Sequence, residues 1–162
     1  MSGERVVVGV SGSLASLAAL RAAVTEARHS GRELTAVIVW ETPEGRALSV
    51  RHPDRIWAAH WARQARKRLD QAFEEALGGT PTDVPVRKLV VRGGPGRVLR
   101  DVAHKEGHLL VVGGRPRAWW APVRQYVRWN VRCPLLTVPA PAHPKRAAWT
   151  LRRVGAEDFI KL

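Results

Sequence analysis

Between Leu109 and Pro139 the chain reads LLVVGGRPRAWWAPVRQYVRWNVRCPLLTVP, and this stretch decides the fold. A short apolar run, Leu109 to Val112, stops at Gly113-Gly114. An Arg- and Trp-rich connection follows, then an amphipathic segment from Pro122, then Cys133-Pro134 and a second apolar run, Leu135 to Val138. Short runs of Leu and β-branched residues bounded by Gly and Pro are the mark of strands buried on both faces. A glycine-marked passage from strand to helix is where open α/β sheets hold ligands, because the first helical turn offers N–H groups without intrahelical partners. The stretch therefore predicts a strand–helix–strand unit with a site beside Gly113.

The same alternation extends toward the N-terminus. Arg5 to Val10 (RVVVGV) reads as a buried first strand, and Ser11-Gly12-Ser13 as a turn with Ser13 at the N-cap. Leu14 to His29 carries an apolar stripe at Leu17, Leu20, Val24 and Ala27, closed by Gly31. Leu34 to Val39 is a second strand, and Glu41 to Pro53 a polar loop. Asp54 is placed to cap a long helix whose apolar face, spaced by four, is Trp57, Trp61, Ala65, Leu69, Phe73 and Leu77; Gly78-Gly79 ends it. Val84 to Val91 is a third strand, interrupted by Arg87 and Lys88 as befits a sheet edge. Gly93-Gly94-Pro95-Gly96 then turns into a short helix bearing Val98, Leu99, Val102 and Ala103, stopped by Gly107. Strands alternating with helices through short crossovers require a parallel, doubly wound α/β sheet. After Pro139 the composition shifts to PAPAHPKR and a tail to Leu162. Residues 1–139 are thus read as one α/β domain. Residues 140–162 are read as an extension whose Trp149, Leu151, Val154, Phe159, Ile160 and Leu162 dock on the body or a second subunit.

Composition narrows the function classes. The 162 residues contain one cysteine, which excludes an internal disulfide, a CxxC pair and a Cys-rich zinc site. No apolar run reaches the roughly 18–20 residues of a membrane span, and Met1-Ser2-Gly3-Glu4-Arg5 leads into a strand without an apolar leader. The expected compartment is the cytoplasm. Net charge is +13, of which +10 lies in two acid-free stretches, Val84 to Arg100 and Arg115 to Arg132. Such clustering fits an anionic partner. It fits equally the Arg-for-Lys usage of a GC-rich genome on a solvated surface.

Taken together, the first strand and its helix stripe, Gly94-x-x-Arg97-Val98-Leu99, LLVVGG and CPLLTVP resemble the universal stress protein family over about residues 4–139. The resemblance implies a three-layer, open, twisted sheet of five parallel strands in order 3-2-1-4-5, with helices on both faces. It implies a homodimer joined along the last strand (Leu135 to Val138), and in one branch of the family ATP or another adenine nucleotide between strands one and four. The residues it points to for a nucleotide or other anion are Ser11, Gly12, Val39, Arg92, Gly113, Gly114, Arg115 and Arg117.

That branch holds the phosphates with glycine-x-x-glycine, nine residues, then glycine and a serine or threonine. Here Gly113 stands at the first position, but Pro116, which has no N–H, takes the second. Ala121 and Pro122 take the place of the terminal glycine and hydroxyl. Seven residues separate Gly113 from Ala121, against twelve in the motif, a loss of about 16–18 Å of contour. The family's aspartate after strand one is Ser11. ATP binding in the family's manner is therefore not expected, nor is a cofactor. Arg115 and Arg117 remain able to make bidentate phosphate contacts, and with Arg92 and Arg97 they are expected along one rim of the sheet.

Other patterns carry less. Ser11 to Ser16 resembles the pyrophosphate loop of N-type ATP pyrophosphatases, but Ala15 stands where that loop has aspartate, so no catalytic residue is assigned. His104 and His108 have helical metal-ligand spacing, yet Gly107 between them means they need not share a face; His52 and His60 straddle a helix start, and no metal is expected. Cys133 reads as a small buried hydrophobe. Trp119, Trp120, Tyr126 and Trp129 interleave with arginines, as in single-strand nucleic-acid grooves. The favoured alternative has Tyr126, Val127 and Val131 facing the sheet, with Arg124, Arg128 and Arg132 as a solvated stripe.

Overall fold

The computed structural model describes residues 3–41, 55–114 and 121–141. In chain order these form β1 (Arg5–Val10), α1 (Leu14–Ser30), β2 (Glu33–Trp40), α2 (Arg55–Leu77) and β3 (Val86–Arg92), then α3 (Pro95–Val102), β4 (Leu109–Gly114), α4 (Ala121–Asn130) and β5 (Leu135–Pro139). All four strand pairings are parallel and the order is β3-β2-β1-β4-β5. The order reverses between β1 and β4, which opens a crevice at the carboxyl ends of those strands.

Alternation along the buried strands divides the core in two. Val6, Val8, Leu34, Ala36 and Ile38 pack under α1 and α2, against Leu20, Val24, Leu69 and Phe73. Val7, Val37, Leu110 and Val112 face the other way, against Leu99 and Val127. Complete burial of each Val, Leu, Ile or Phe side chain contributes about 1.5–3 kcal/mol. Ser13 caps α1 as expected, its hydroxyl accepting from the Ser16 N–H at 3.2 Å, and Gly31 ends the helix at φ +67°. Arg21 of α1 donates to the terminal carbonyl of Ala76 on α2 at 2.9 Å, tying the two helices together.

β3 lies at a sheet edge, as its charges imply, though it spans Val86–Arg92 rather than Val84 to Val91. Pro85 has no N–H for a ladder; its carbonyl accepts from Leu34 at 2.9 Å, and Val84 is buried ahead of the strand. Lys88 lies 2.8 Å from Asp70 and 4.5 Å from the centre of the Phe73 ring.

Two expectations need correction. The apolar face of α2 does not begin at Trp57: that side chain is 59% exposed and Trp61 half-buried, while Ala65, Leu69, Ala72 and Phe73 form the buried stripe. Twenty-three helical residues span about 34 Å, and the eight-residue β2 about 27 Å, so the first turns of α2 pass beyond the sheet. There the rings of Trp57 and Trp61 pack edge-on against His60, at 5.9 and 5.4 Å. Tyr126 packs on α3 instead of the sheet. Its ring lies so close to Gly96 that a β-carbon there would stand 2.9 Å from Cδ1, and its hydroxyl accepts from Arg100 at 2.7 Å. Of its neighbours, Val127 is fully buried, and Arg128 and Arg132 are exposed. His104 and His108, whose meeting the sequence left open, lie with rings 5.6 Å apart: α3 ends at Val102 and the turn closed by His108 N–H on the Lys105 carbonyl (3.0 Å) folds back.

His108 is buried with Nε2 3.0 Å from the Gly3 carbonyl, and no group of three or more metal-ligating side chains assembles among the described residues. Cys133 is buried, and that burial pushes its thiol pKa up. No helix among the described residues is long and apolar enough to cross a membrane. The Asp54 cap, His52, Trp119, Trp120 and the docking of the tail beyond Pro141 lie outside the described residues.

Candidate functional site

The crevice at the strand reversal contains a cavity of about 450 Å³, within the range of small-molecule sites. Its construction begins with Gly113. A β-carbon there would lie 2.5 Å from the Ala15 carbonyl carbon and 2.7 Å from the Ser16 nitrogen, so only glycine lets the first turn of α1 rest on the end of β4. The signal read from the sequence as a phosphate-binding glycine thus has a packing cause of its own.

The turn from β1 to α1 forms one wall. Gly12 adopts φ +80°, a conformation open to glycine at little cost. The serines around it bond one another: Ser11 N–H donates to Ser16 Oγ at 3.2 Å, Ser16 Oγ donates to the Ser13 carbonyl at 3.0 Å, and the Ser11 and Ser13 hydroxyls stand 3.1 Å apart. Ser16 is buried; Ser11 is exposed at the mouth. The opposite wall is apolar, formed by Val37 and Val39 of β2, Leu99 of α3 and Val123 of α4.

Of the residues singled out from the sequence, Ser11, Val39 and Gly113 line this cavity. Gly12 shapes the turn but is not in the lining. Gly114 turns the other way, where a β-carbon would meet the Thr137 methyl at 2.6 Å and Arg124 at 3.1 Å. Arg92 is outside the lining, with its guanidinium 5.5 Å from the centre of the Trp40 ring. Arg115 and Arg117 lie outside the described residues. The cavity also gathers residues the sequence reading passed over, chiefly Leu99, Val123 and Arg68. Arg68 lies next to the core residue Leu69 and three after Ala65, so helical spacing puts it on the border of the buried stripe; what it borders is set by the placement of α2.

Among the described lining residues there is no Asp, Glu, His, Lys or Cys. The cavity therefore presents apolar surface, hydroxyls and a single guanidinium, chemistry suited to holding a flat ring and an anionic group.

Comparison with known proteins agrees with this architecture. No curated protein sequence matches the chain. Among solved structures, the universal stress protein UspA from Lactobacillus plantarum is 19% identical with a TM-score of 0.63, covering 83% of this chain and 97% of its own. A protein of the universal stress protein family from Burkholderia pseudomallei is 22% identical with a TM-score of 0.57, covering 85% and 96%. A universal stress protein in complex with cAMP is 23% identical with a TM-score of 0.52, covering 85% and 98%. The model of the universal stress protein family matches residues 3–139, nearly all of the α/β body, and the chain belongs to that family.

Proposed function

We propose that this chain is a non-catalytic, cytoplasmic binding protein of the universal stress type. Its crevice accepts the ring end of an adenine nucleotide but lacks the family's wrap around a triphosphate. The observation that carries this reading is the open cavity of about 450 Å³ beside Gly113, with Val37, Val39 and Leu99 as one wall. Pro116, Ala121 and Pro122 in place of the motif's glycines and hydroxyl, and the shortened connection, argue against three phosphoryl groups. The absence of a carboxylate, imidazole or amine among the described lining residues favours binding without turnover.

Calorimetric titration with adenosine, AMP, cAMP and ATP with magnesium tests it. Adenosine and its one-phosphate derivatives bind, and ATP binds no tighter than AMP. ATP held tenfold or more above AMP, or hydrolysed, overturns it.

We further infer a homodimer through β5. Among the described residues that strand forms the sheet edge opposite β3, with Leu136 41% exposed and Trp129 of the adjacent α4 77% exposed. A groove of about 620 Å³ bordered by Arg124, Arg128, Trp129 and Leu135 runs beside it. Light scattering of Leu136→Asp is the check: the variant should be monomeric where the parent is dimeric.

A further inference from the structure

We propose that Arg68, carried on α2, grips the anionic group of the ligand and makes the crevice selective for a phosphorylated over an unphosphorylated nucleoside. The inference rests on the nucleoside reading above and adds the residue that sets ligand class. Arg68 is the one charged side chain among the fifteen described residues that line the cavity. It has no hydrogen-bond or ion-pair partner among the described residues, although its helix is rich in charge. Asp70, two residues on and therefore on another side of the helix, joins Arg66 at 3.7 Å and Lys88 at 2.8 Å.

A guanidinium is weakly hydrated, always charged and presents a planar fork of donors that matches two oxygens of one phosphate. Held at the edge of an apolar cavity, it attracts an anion more strongly than it would in open water. One such fork suits a single phosphoryl group, in keeping with a crossover too short to wrap three. The serine hydroxyls of the β1–α1 turn are engaged with one another, and among the described lining residues the charge comes from α2 alone.

The test uses the full chain, with adenosine, AMP and inorganic phosphate as probes in calorimetry at 50 and 200 mM salt. AMP should bind about 10- to 100-fold tighter than adenosine to the parent protein, the range expected of charge-assisted hydrogen bonds. Arg68→Ala should bring AMP down to the level of adenosine, leave adenosine itself unchanged and remove most of the salt dependence. Arg68→Lys should restore part of the preference. Arg68 is exposed, so the variants should fold, which circular dichroism verifies. A preference for AMP that survives Arg68→Ala overturns the assignment, as does a parent protein that neither favours AMP nor takes up phosphate. Phosphate binding that depends on Arg68 without any adenosine binding keeps the assignment and refutes the nucleoside reading instead.

Discussion

The two walls of the crevice are built on different principles. The wall formed by the β1–α1 turn is backbone against backbone: the first turn of α1 sits directly on Gly113, and Ser11, Ser13 and Ser16 bond one another around it. The facing wall is made of side chains alone, Val39, Leu99 and Val123, arriving from three separate elements, while Arg68 joins the lining from α2, on the same side of the sheet as α1. The first wall cannot change without moving a helix on the sheet. The second can be altered residue by residue. Stability should therefore reside in the backbone wall, and ligand choice in the side chains that complete the crevice, Arg68 among them.

Gly113→Ala is the strongest way to break that contrast. Its β-carbon meets main chain that cannot rotate away, so a loss of about 3 kcal/mol, the upper end for overpacking, is expected. In a domain of this size that lowers Tm by about 6–12 °C, readable by differential scanning calorimetry. A variant with unchanged Tm would mean that α1 is free to lift off β4. Leu99→Ala comes next, with a loss of about 2 kcal/mol, the low end for a side chain that borders a cavity already open, together with a wider pocket. Denaturant unfolding measures the first effect and loss of adenosine affinity the second, so this position joins the two walls.

Ser13→Ala should cost about 1 kcal/mol by removing the cap of α1, with little change in the affinity for adenosine. At the other extreme, Arg68→Ala should shift stability by less than about 0.5 kcal/mol, as an exposed side chain without partners among the described residues should, while AMP affinity falls. If Arg68→Ala proved as destabilising as Ser13→Ala, the division between structural backbone contacts and selective side chains would fail.

Legibility followed the range of the forces. Leu109 to Val112, Leu135 to Val138 and the α1 stripe were readable because the periods of strand and helix are local properties of the chain. Ser13 and Gly31 were readable because caps act within one turn. Gly113 was readable as a special position, although its cause proved to be the approach of α1 to β4. The setting of Arg92 was not readable, since it depends on Trp40 of the adjacent strand, whose ring centre lies 5.5 Å from the guanidinium. Trp57 misled, because spacing by four says which side of a helix a residue occupies and nothing about where the sheet ends.

The amino-acid sequence by itself determined the order of elements, their parallel arrangement and the family, since each depends on patterns a few residues long and on short crossovers. Only the tertiary structure decided that His104 meets His108, that Tyr126 lies on Gly96 and that Arg68 reaches the crevice. Those contacts join elements distant in the chain or depend on how a turn closes. They are fixed by how far each helix extends along the sheet and how it is rotated on it, which no local pattern encodes.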